Sequence, residues 1–207
     1  MVGSGIGIGF ATAGLFEALA LPPEGYRSAQ AMSSDMAGAV ATSESLVRDS
    51  LKSIANIDQG LQGGNAFVQV NPDAREQARA RDRERASGTV RGFLHGVPIA
   101  LKDVFETSGK MHTSAGSRAL VGSPTSKNAK VVDNLLKAGA VIVGKTNMSE
   151  LSNFRSSVPV DGWSSRGGQT LNPHRLGGQV AGSSSGSAVA VAQGLCRWHW
   201  ASRPMAR

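Results

Sequence analysis

The sequence predicts an α/β protein, because two short apolar strands flank one amphipathic helix. The segment GVPIALKDVF (96–105) is an almost continuous apolar run after a glycine, which is typical of a buried strand. SKNAKVVDNLLKAGA (126–140) has helical spacing and ends at Gly139, and AVIVGK (140–145) is a second buried strand. The inward residues of the helix are Val131, Val132, Leu135 and Leu136. Strand, helix, strand in this order favours a sheet covered by helices.

Two helical regions are predicted upstream of these strands. Residues 33–57 have a helical pattern, and Thr42 is suited to cap a second segment within them. The apolar stripe of that segment is Leu46, Val47, Leu51 and Ile54. NPDAREQARARDRERA (71–86) follows, with Asn71 as the N-cap and Pro72 at the first helical position. The packed side of this helix carries Ala74 and Ala78.

The composition is that of a globular chain without a metal centre, a cofactor site or a membrane span. Of the 207 residues, 40% are apolar and 18% are charged, which excludes a disordered protein. Cys196 is the only cysteine, so no disulfide forms within one chain. Three histidines, His95, His112 and His174, lack the spacing of metal ligands. No stretch reaches the roughly 18 apolar residues that a membrane-spanning helix needs.

The net charge of +7 does not indicate a nucleic-acid partner. Arg197, Arg203 and Arg207 lie in the last eleven residues, and without them residues 1–196 carry 19 basic and 15 acidic residues, or +4. The basic residues of the helix at 71–86 alternate with acidic ones, which is typical of a solvated helix face.

The N-terminal 32 residues form an extension before the domain at 33–196. Their first part, MVGSGIGIGFATAGLFEALALPPEG, is apolar and rich in glycine, and Ala18-Leu19-Ala20 resembles a signal-peptide cleavage site. A basic segment before the apolar run is missing. We therefore expect a cytoplasmic protein, with secretion as the alternative, while the oligomeric state stays open.

Two features of the chain suggest chemistry. Lys102 lies inside the most apolar strand, either as an edge residue that extends to water or as a buried amine with a lowered pKa. A buried amine of that kind exchanges protons at physiological pH.

Four serines lie within residues 183–187, where one would suffice to cap a helix. They follow a long irregular segment (152–182) of the kind that often carries function. Lys145 is interpreted as a strand-end lysine that supports the loop.

The lysine strand and the serine-rich turn together resemble the amidase signature family. Four stretches of sequence carry the resemblance, in the order found in the family: LHGVPIALKDVFETSGKMHTSAGSRAL, LLKAGAVIVGKTNMSELSNFRSS, GWSSRGGQTLNPHRL and GSSSGSAVAVAQG. It extends from about residue 35 to residue 196. It implies the N-terminal portion of a mixed β-sheet covered by helices, and a hydrolase that acts on a small-molecule amide without a cofactor.

The resemblance also implies a Ser–cis-Ser–Lys triad. Lys102 matches the lysine of the family, which acts first as base and then as acid, and Ser183 matches the bridging serine on a cis peptide. Gly182, Ser184 and Ser185 match the loop that binds the substrate and its oxyanion. Asp103 fits the family pattern with a structural role.

Two positions before this turn depart from the family. Val180 and Ala181 stand where the family usually has Pro and Gly, which puts in question how the turn holds Ser183.

The nucleophilic serine of the family is missing where it is expected, near Arg207. The family has a Thr-Asp-Gly-Ser-like run there, but residues 196–207 read CRWHWASRPMAR. Trp and Met each have one codon, so reading one base earlier forces alanine at the slot of His199 and glycine at the slots of Ala201 and Ala206. The remaining codons permit Thr-Asp-Gly-Ser, with serine at the slot of Arg207. We therefore expect the tail at 197–207 to be frameshifted, and the chain as written to be inactive.

Two further hypotheses stay open. Within the family, a glutamine amidotransferase component that uses charged tRNA would share the acyl-enzyme chemistry but deliver ammonia to a partner site. Outside enzyme chemistry, the serine turn is suited to bind an anion in a non-catalytic module or remnant.

Overall fold

The computed structural model describes most of the chain between residues 27 and 196. The described ranges are 27–59, 63–123, 125–154, 157–175 and 177–196, with the backbone of 199–200. Most of the predicted N-terminal extension, Arg207 and most of the tail at 197–207 lie outside them. Within these ranges, no helix has the length and apolar character needed to cross a bilayer. No cluster of three His, Cys, Asp or Glu side chains in them is placed to hold a metal ion.

A four-stranded mixed sheet forms the centre of the structure, in the order β1–β3–β2–β6. The strands along the chain are β1 (Phe67–Val70), β2 (Pro98–Lys102), β3 (Val141–Thr146), β4 (Trp163–Ser164), β5 (Gly168–Gln169) and β6 (His199–Trp200). β3 pairs parallel with β2 and antiparallel with β1, and β2 also pairs parallel with β6. β4 and β5 form a separate two-stranded hairpin. The predicted α/β class is confirmed, while β1 and β6 are strands that the sequence pattern did not indicate.

Five α-helices surround the sheet in the described ranges. They are α1 (Ala29–Ala37), α2 (Ser43–Ser53), α3 (Ala74–Ala86), α4 (Lys130–Lys137) and α5 (Ser185–Ala192). The predicted cap at Thr42 is confirmed, because its side chain accepts from the Ser45 amide and the Ser45 side chain accepts in return. A π-helical turn, Ile54–Asp58, continues α2.

The predicted start of α3 is wrong by two residues. Asp73 is the N-cap, and Asn71 lies outside the helix, where its side-chain oxygen accepts from the Asp73 amide at 3.0 Å. This turn at an asparagine satisfies the backbone locally and delays the helix.

The β2–α4–β3 unit follows the prediction closely. Val132 and Leu135 of α4 are buried, while Val131 and Leu136 are partly buried against the same cluster. The helix ends before Gly139, whose φ of +83° is a left-handed conformation that favours glycine.

The two faces of the sheet bury separate apolar clusters, because side chains alternate along each strand. One face, called here the α5 face, packs against α2, α3 and α5; its members include Val47, Ala74, Ala78, Ala100, Val143 and Val189. The other, called the α4 face, packs against α1 and α4; its members include Met32, Met36, Ile99, Leu101, Val132 and Leu135. Each strand of the β2–β3 pair therefore contributes to both clusters.

Candidate functional site

The functional candidates meet where β2 and β3 end and α5 begins. Lys102 is the last residue of β2, and its register partner Thr146 is the last residue of β3. The serine turn at 183–185 leads into α5 on the same side of the sheet, since Thr146 and Ser187 are hydrogen-bonded at 2.7 Å. The carboxyl ends of parallel strands are the usual place for ligand sites in α/β sheets.

Lys102 is a fully buried amine. Its strand lies between β3 and β6, so the alternative of an edge lysine that extends to water is wrong. The Nζ atom donates a hydrogen bond to Ser183 Oγ at 2.7 Å. Burial lowers the pKa of Lys102 from its ordinary 10.5 to about 8, because the charged form is poorly solvated there. At neutral pH the neutral form of this amine is therefore much more populated than that of an exposed lysine.

Ser183 is held by its backbone as well as by Lys102. The Gly182–Ser183 peptide is cis, and the Ser183 carbonyl accepts from the Ser149 amide at 3.0 Å. A methyl group added to Gly182 would lie 2.0 Å from Asp161 Oδ1 and 2.5 Å from Ser149 Oγ. A side chain at position 182 would therefore displace the Asp161 carboxylate and the Ser149 hydroxyl, which lie against the backbone before Ser183.

The other serines of the turn make separate contacts. Ser184 is the N-cap residue of α5, and its side chain makes no capping hydrogen bond. Ser185 Oγ donates to the Ala181 carbonyl at 2.8 Å, which closes the turn on itself. Ser187 belongs to the Thr146 contact already described. Simple helix capping therefore does not account for the serine cluster. Ala181 is one of the two positions that depart from the family, and it accepts the Ser185 hydrogen bond through its backbone oxygen.

Asp103, the residue after Lys102, anchors a buried polar network. Its carboxylate accepts from Ser114 Oγ at 2.5 Å and from the Gly116 amide at 3.0 Å. Arg166 Nη1 lies 3.0 and 3.1 Å from the two carboxylate oxygens. Arg166 Nη2 also donates to Gln69 Oε1, which joins the network to β1. These contacts give Asp103 a structural position.

Lys145 is a second fully buried amine, one strand away from Lys102. Its Nζ donates to the Phe105 carbonyl, to Thr113 Oγ1 at 2.9 Å and to Thr107 Oγ1 at 3.3 Å. Burial lowers the pKa of Lys145 to about 8; Asp103 acts in the opposite direction and Arg166 in the same direction as burial.

Three positions around the site were missed by reasoning from the sequence. Arg166 and Asp161 lie in the irregular segment at 152–182, and Ser149 lies just before it. Each acts through contacts between residues far apart in the chain. The single usable signal was an arginine within a run of Gly and Ser. The expected nucleophile slot at Arg207 lies outside the described residues.

Comparison with known proteins gives a consistent result. The Amidase family profile matches residues 45–202. A probable amidase of Arabidopsis thaliana is 46% identical over 156 residues, covering 74% of this chain and 30% of that protein. The A-type component of the glutamyl-tRNA(Gln) amidotransferase of Acidothermus cellulolyticus is 41% identical over 167 residues, covering 80% of this chain and 31% of that protein. The chain thus spans about a third of the length of these relatives.

Solved structures show the same fold. The native peptide amidase from Stenotrophomonas maltophilia superposes with a TM-score of 0.80 at 44% identity, covering 84% of this chain and 35% of that one. An amidase family protein from Bacillus anthracis superposes with a TM-score of 0.77 at 34% identity, covering 83% of this chain and 34% of that one.

Proposed function

The chain belongs to the amidase family, and we propose that it carries the base and the proton relay of a hydrolase that cleaves carboxylic amide C–N bonds. One observation carries the proposal: the buried Lys102 Nζ lies 2.7 Å from the hydroxyl oxygen of Ser183. An amine with a pKa lowered to about 8 both accepts and returns a proton near neutral pH.

In the proposed reaction, neutral Lys102 takes the proton of Ser183 while Ser183 takes that of the nucleophilic serine. The serine oxygen forms a bond to the amide carbonyl carbon, and the electron pair of the carbonyl moves to its oxygen. When the C–N bond breaks, protonated Lys102 returns its proton through Ser183 to the leaving nitrogen. Water then cleaves the acyl-enzyme by the same relay. Every proton in this scheme passes through the Lys102–Ser183 contact.

The turn at 182–185 is proposed to line the position of the substrate carbonyl. Gly182 lies against Asp161 and Ser149, and Ser185 Oγ is bonded to the Ala181 carbonyl. A loop fixed on both sides holds its backbone groups in place before the substrate arrives, which is what stabilisation of an oxyanion requires. We assign Ser184 to the same surface because it lies between Gly182 and Ser185 in this turn.

The nucleophile is proposed to be encoded in the shifted frame, at the slot of Arg207. The support is the codon argument at the slots of His199, Ala201 and Ala206, where one-codon residues leave no freedom. The nucleotide sequence through codons 190–215 tests this directly. Codons that do not yield Thr-Asp-Gly-Ser in the shifted frame would refute it.

The function itself is tested by measuring ammonia release from a simple carboxylic amide. The assay uses the protein translated from the gene with the reading frame restored, so that the proposed nucleophile is present. We expect Lys102→Ala and Ser183→Ala each to lower kcat/KM by about 10²- to 10⁴-fold, the range of general acid–base catalysis. Lys137→Ala, at an exposed position on α4, is the matched control and is expected to leave the rate unchanged. Full activity of Lys102→Ala would reject the relay.

A second candidate function is that of the A-type component of a glutamyl-tRNA amidotransferase, favoured by relatives of that name at 41–44% identity. It shares the relay but passes ammonia to another site. Transfer of ammonia to charged tRNA by a reconstituted complex, rather than its release to solvent, would select it. Phosphate binding that Ser184→Ala and Ser185→Ala abolish, without amide hydrolysis, would instead select the anion-binding module.

A further inference from the structure

The three oxygens around the Lys145 ammonium all belong to the segment that follows Lys102. They are the carbonyl of Phe105 and the hydroxyls of Thr107 and Thr113. Thr107 is 2% exposed and Lys145 is fully buried, so water does not replace these contacts easily. Thr113 Oγ1 also donates to the Phe105 carbonyl at 3.0 Å, and it accepts from the Thr107 amide at 3.2 Å. Lys145 therefore lies at the centre of a closed set of hydrogen bonds.

Phe105 links this set to Lys102. Its amide donates to the Lys102 carbonyl at 3.1 Å, while its own carbonyl accepts from Lys145 Nζ. On the other side of Lys102, the Asp103 amide donates to the Thr146 carbonyl at 3.2 Å. The backbone at Lys102 is thus fixed from both β3 and the turn, and one residue separates the two lysines along this path.

We propose that Lys145 is a positioning residue for Lys102: by holding Phe105, it fixes the turn at the end of β2 and keeps the Lys102 amine buried against Ser183. The inference rests on the proposed function, in which Lys102 is the base. It assigns Lys145 no contact with substrate. Its effect passes through the backbone, because Lys145 pairs with Leu101, the neighbour of Lys102 in β2, and the two amines therefore leave the sheet on opposite faces.

The residue type at position 145 fits this role. An ammonium group has three donors, and three oxygens surround it. The charged groups that face it are Asp103, which attracts it, and Arg166, which repels it and is itself paired with Asp103. An apolar side chain of similar length would fill the space but remove the donor that joins all three oxygens.

The test measures the titration of Lys102 in the full 207-residue chain by NMR of ¹³C,¹⁵N-labelled lysine side chains. The Lys102 signal is assigned by its absence in Lys102→Met. Thr113→Val removes a hydroxyl with little change of shape, and Thr113→Ser keeps the hydroxyl and removes a methyl group. We expect Thr113→Val to raise the Lys102 midpoint by about half a pH unit, a roughly threefold change in the neutral fraction at fixed pH. Thr113→Ser is expected to leave the midpoint in place.

Lys145→Met is the stronger variant, and the exposed Lys137→Met is its control. We expect a rise in the Lys102 midpoint of about one unit or more, equal to a tenfold loss of neutral amine at fixed pH, as water reaches the end of β2. A loss of stability with an unchanged Lys102 midpoint would make Lys145 a purely structural residue and overturn the inference. If Lys145→Met does not fold, the Thr113 pair decides. None of these measurements uses turnover, so their failure is distinguishable from failure of the proposed hydrolysis.

Discussion

Two buried lysines occupy neighbouring strands of the sheet but leave it on opposite faces. In the register of β2 and β3, Lys102 pairs with Thr146, and Leu101 pairs with Lys145. The register shifts by one residue between Ile99 and Ala100, so Lys145 lies beside Leu101 on the α4 face, while Lys102 lies on the α5 face. Both amines are fully buried, and burial lowers both pKa values to about 8.

The difference between the two faces lies in what each amine meets. Lys102 meets the Ser183 hydroxyl, which is itself a proton donor and acceptor. Lys145 meets a backbone carbonyl and two hydroxyls that are tied to one another. Equal burial thus produces a group suited to exchange protons on one face and a group suited to hold backbone on the other. A lowered pKa alone does not separate these roles.

The free energy of unfolding should distinguish the roles of Lys102 and Lys145 most clearly. We expect Lys145→Met to lower the free energy of unfolding by roughly 3 kcal/mol, the upper end for buried neutral oxygens that lose a hydrogen-bond donor. Lys102→Met is expected to change it by less than about 1 kcal/mol, or to raise it, since an apolar side chain replaces a poorly solvated amine. Urea unfolding of both variants measures the difference. Equal losses would mean that the two faces do not differ as argued.

The pH dependence of stability should show what the two lysines share. Below about pH 8 both amines are charged in the folded and the unfolded chain, so the cost of burying the charge is fully present. Between about 8 and 10.5 only the unfolded chain keeps the protons, and the free energy of unfolding rises with pH. We expect a rise of about 3 kcal/mol per lysine across this window. Urea midpoints measured from neutral pH to the upper end of the window test it.

Lys102→Met and Lys145→Met should each remove the contribution of one lysine, which is half of the total rise in the free energy of unfolding. Lys137→Met should remove none of it. If the free energy of unfolding of Lys102→Met rises with pH as steeply as that of the unchanged chain, Lys102 is not a source of the pH dependence.

The sequence predicts the part of the sheet that is built from consecutive elements of the chain. β2, α4 and β3 follow from apolar periodicity and from the stop at Gly139, and the cap at Thr42 follows from the residue type. β1 and β6 were missed because strands of four and two residues carry too little periodicity to stand out. The late start of α3 reflects a side chain of Asn71 that competes with the helix.

The site was predictable only where residue types are unusual. A lysine in an apolar strand is conspicuous, and so is a run of serines. Arg166 lies 63 residues from Asp103 along the chain, and Ser149 meets Ser183 through a backbone amide that any residue except proline would supply. Contacts of these kinds depend on the tertiary fold and leave little trace in local sequence.

The smallest expected effect concerns how closely α5 approaches the sheet. In a free helix Gly186→Ala would stabilise, since alanine is the better helix former by about 1 kcal/mol. Here the added methyl group would lie 2.4 Å from the Ala66 carbonyl oxygen and 2.6 Å from the amide and carbonyl of Asn147, all of them backbone atoms. Because backbone does not yield cheaply, we expect the sign to reverse and stability to fall by about 2 kcal/mol.

Gly38→Ala is the matched control for this reversal. Gly38 follows α1 with a φ of −82°, and its nearest neighbour would lie 3.5 Å from the new methyl group. Alanine fits there, so stability should hold or rise slightly. If Gly186→Ala behaves like Gly38→Ala in thermal unfolding, α5 is not pressed against the backbone at the start of β1 and the end of β3. The α5 face would then lack the tight packing that keeps water from Lys102, and the contrast between the two lysines would lose its physical basis.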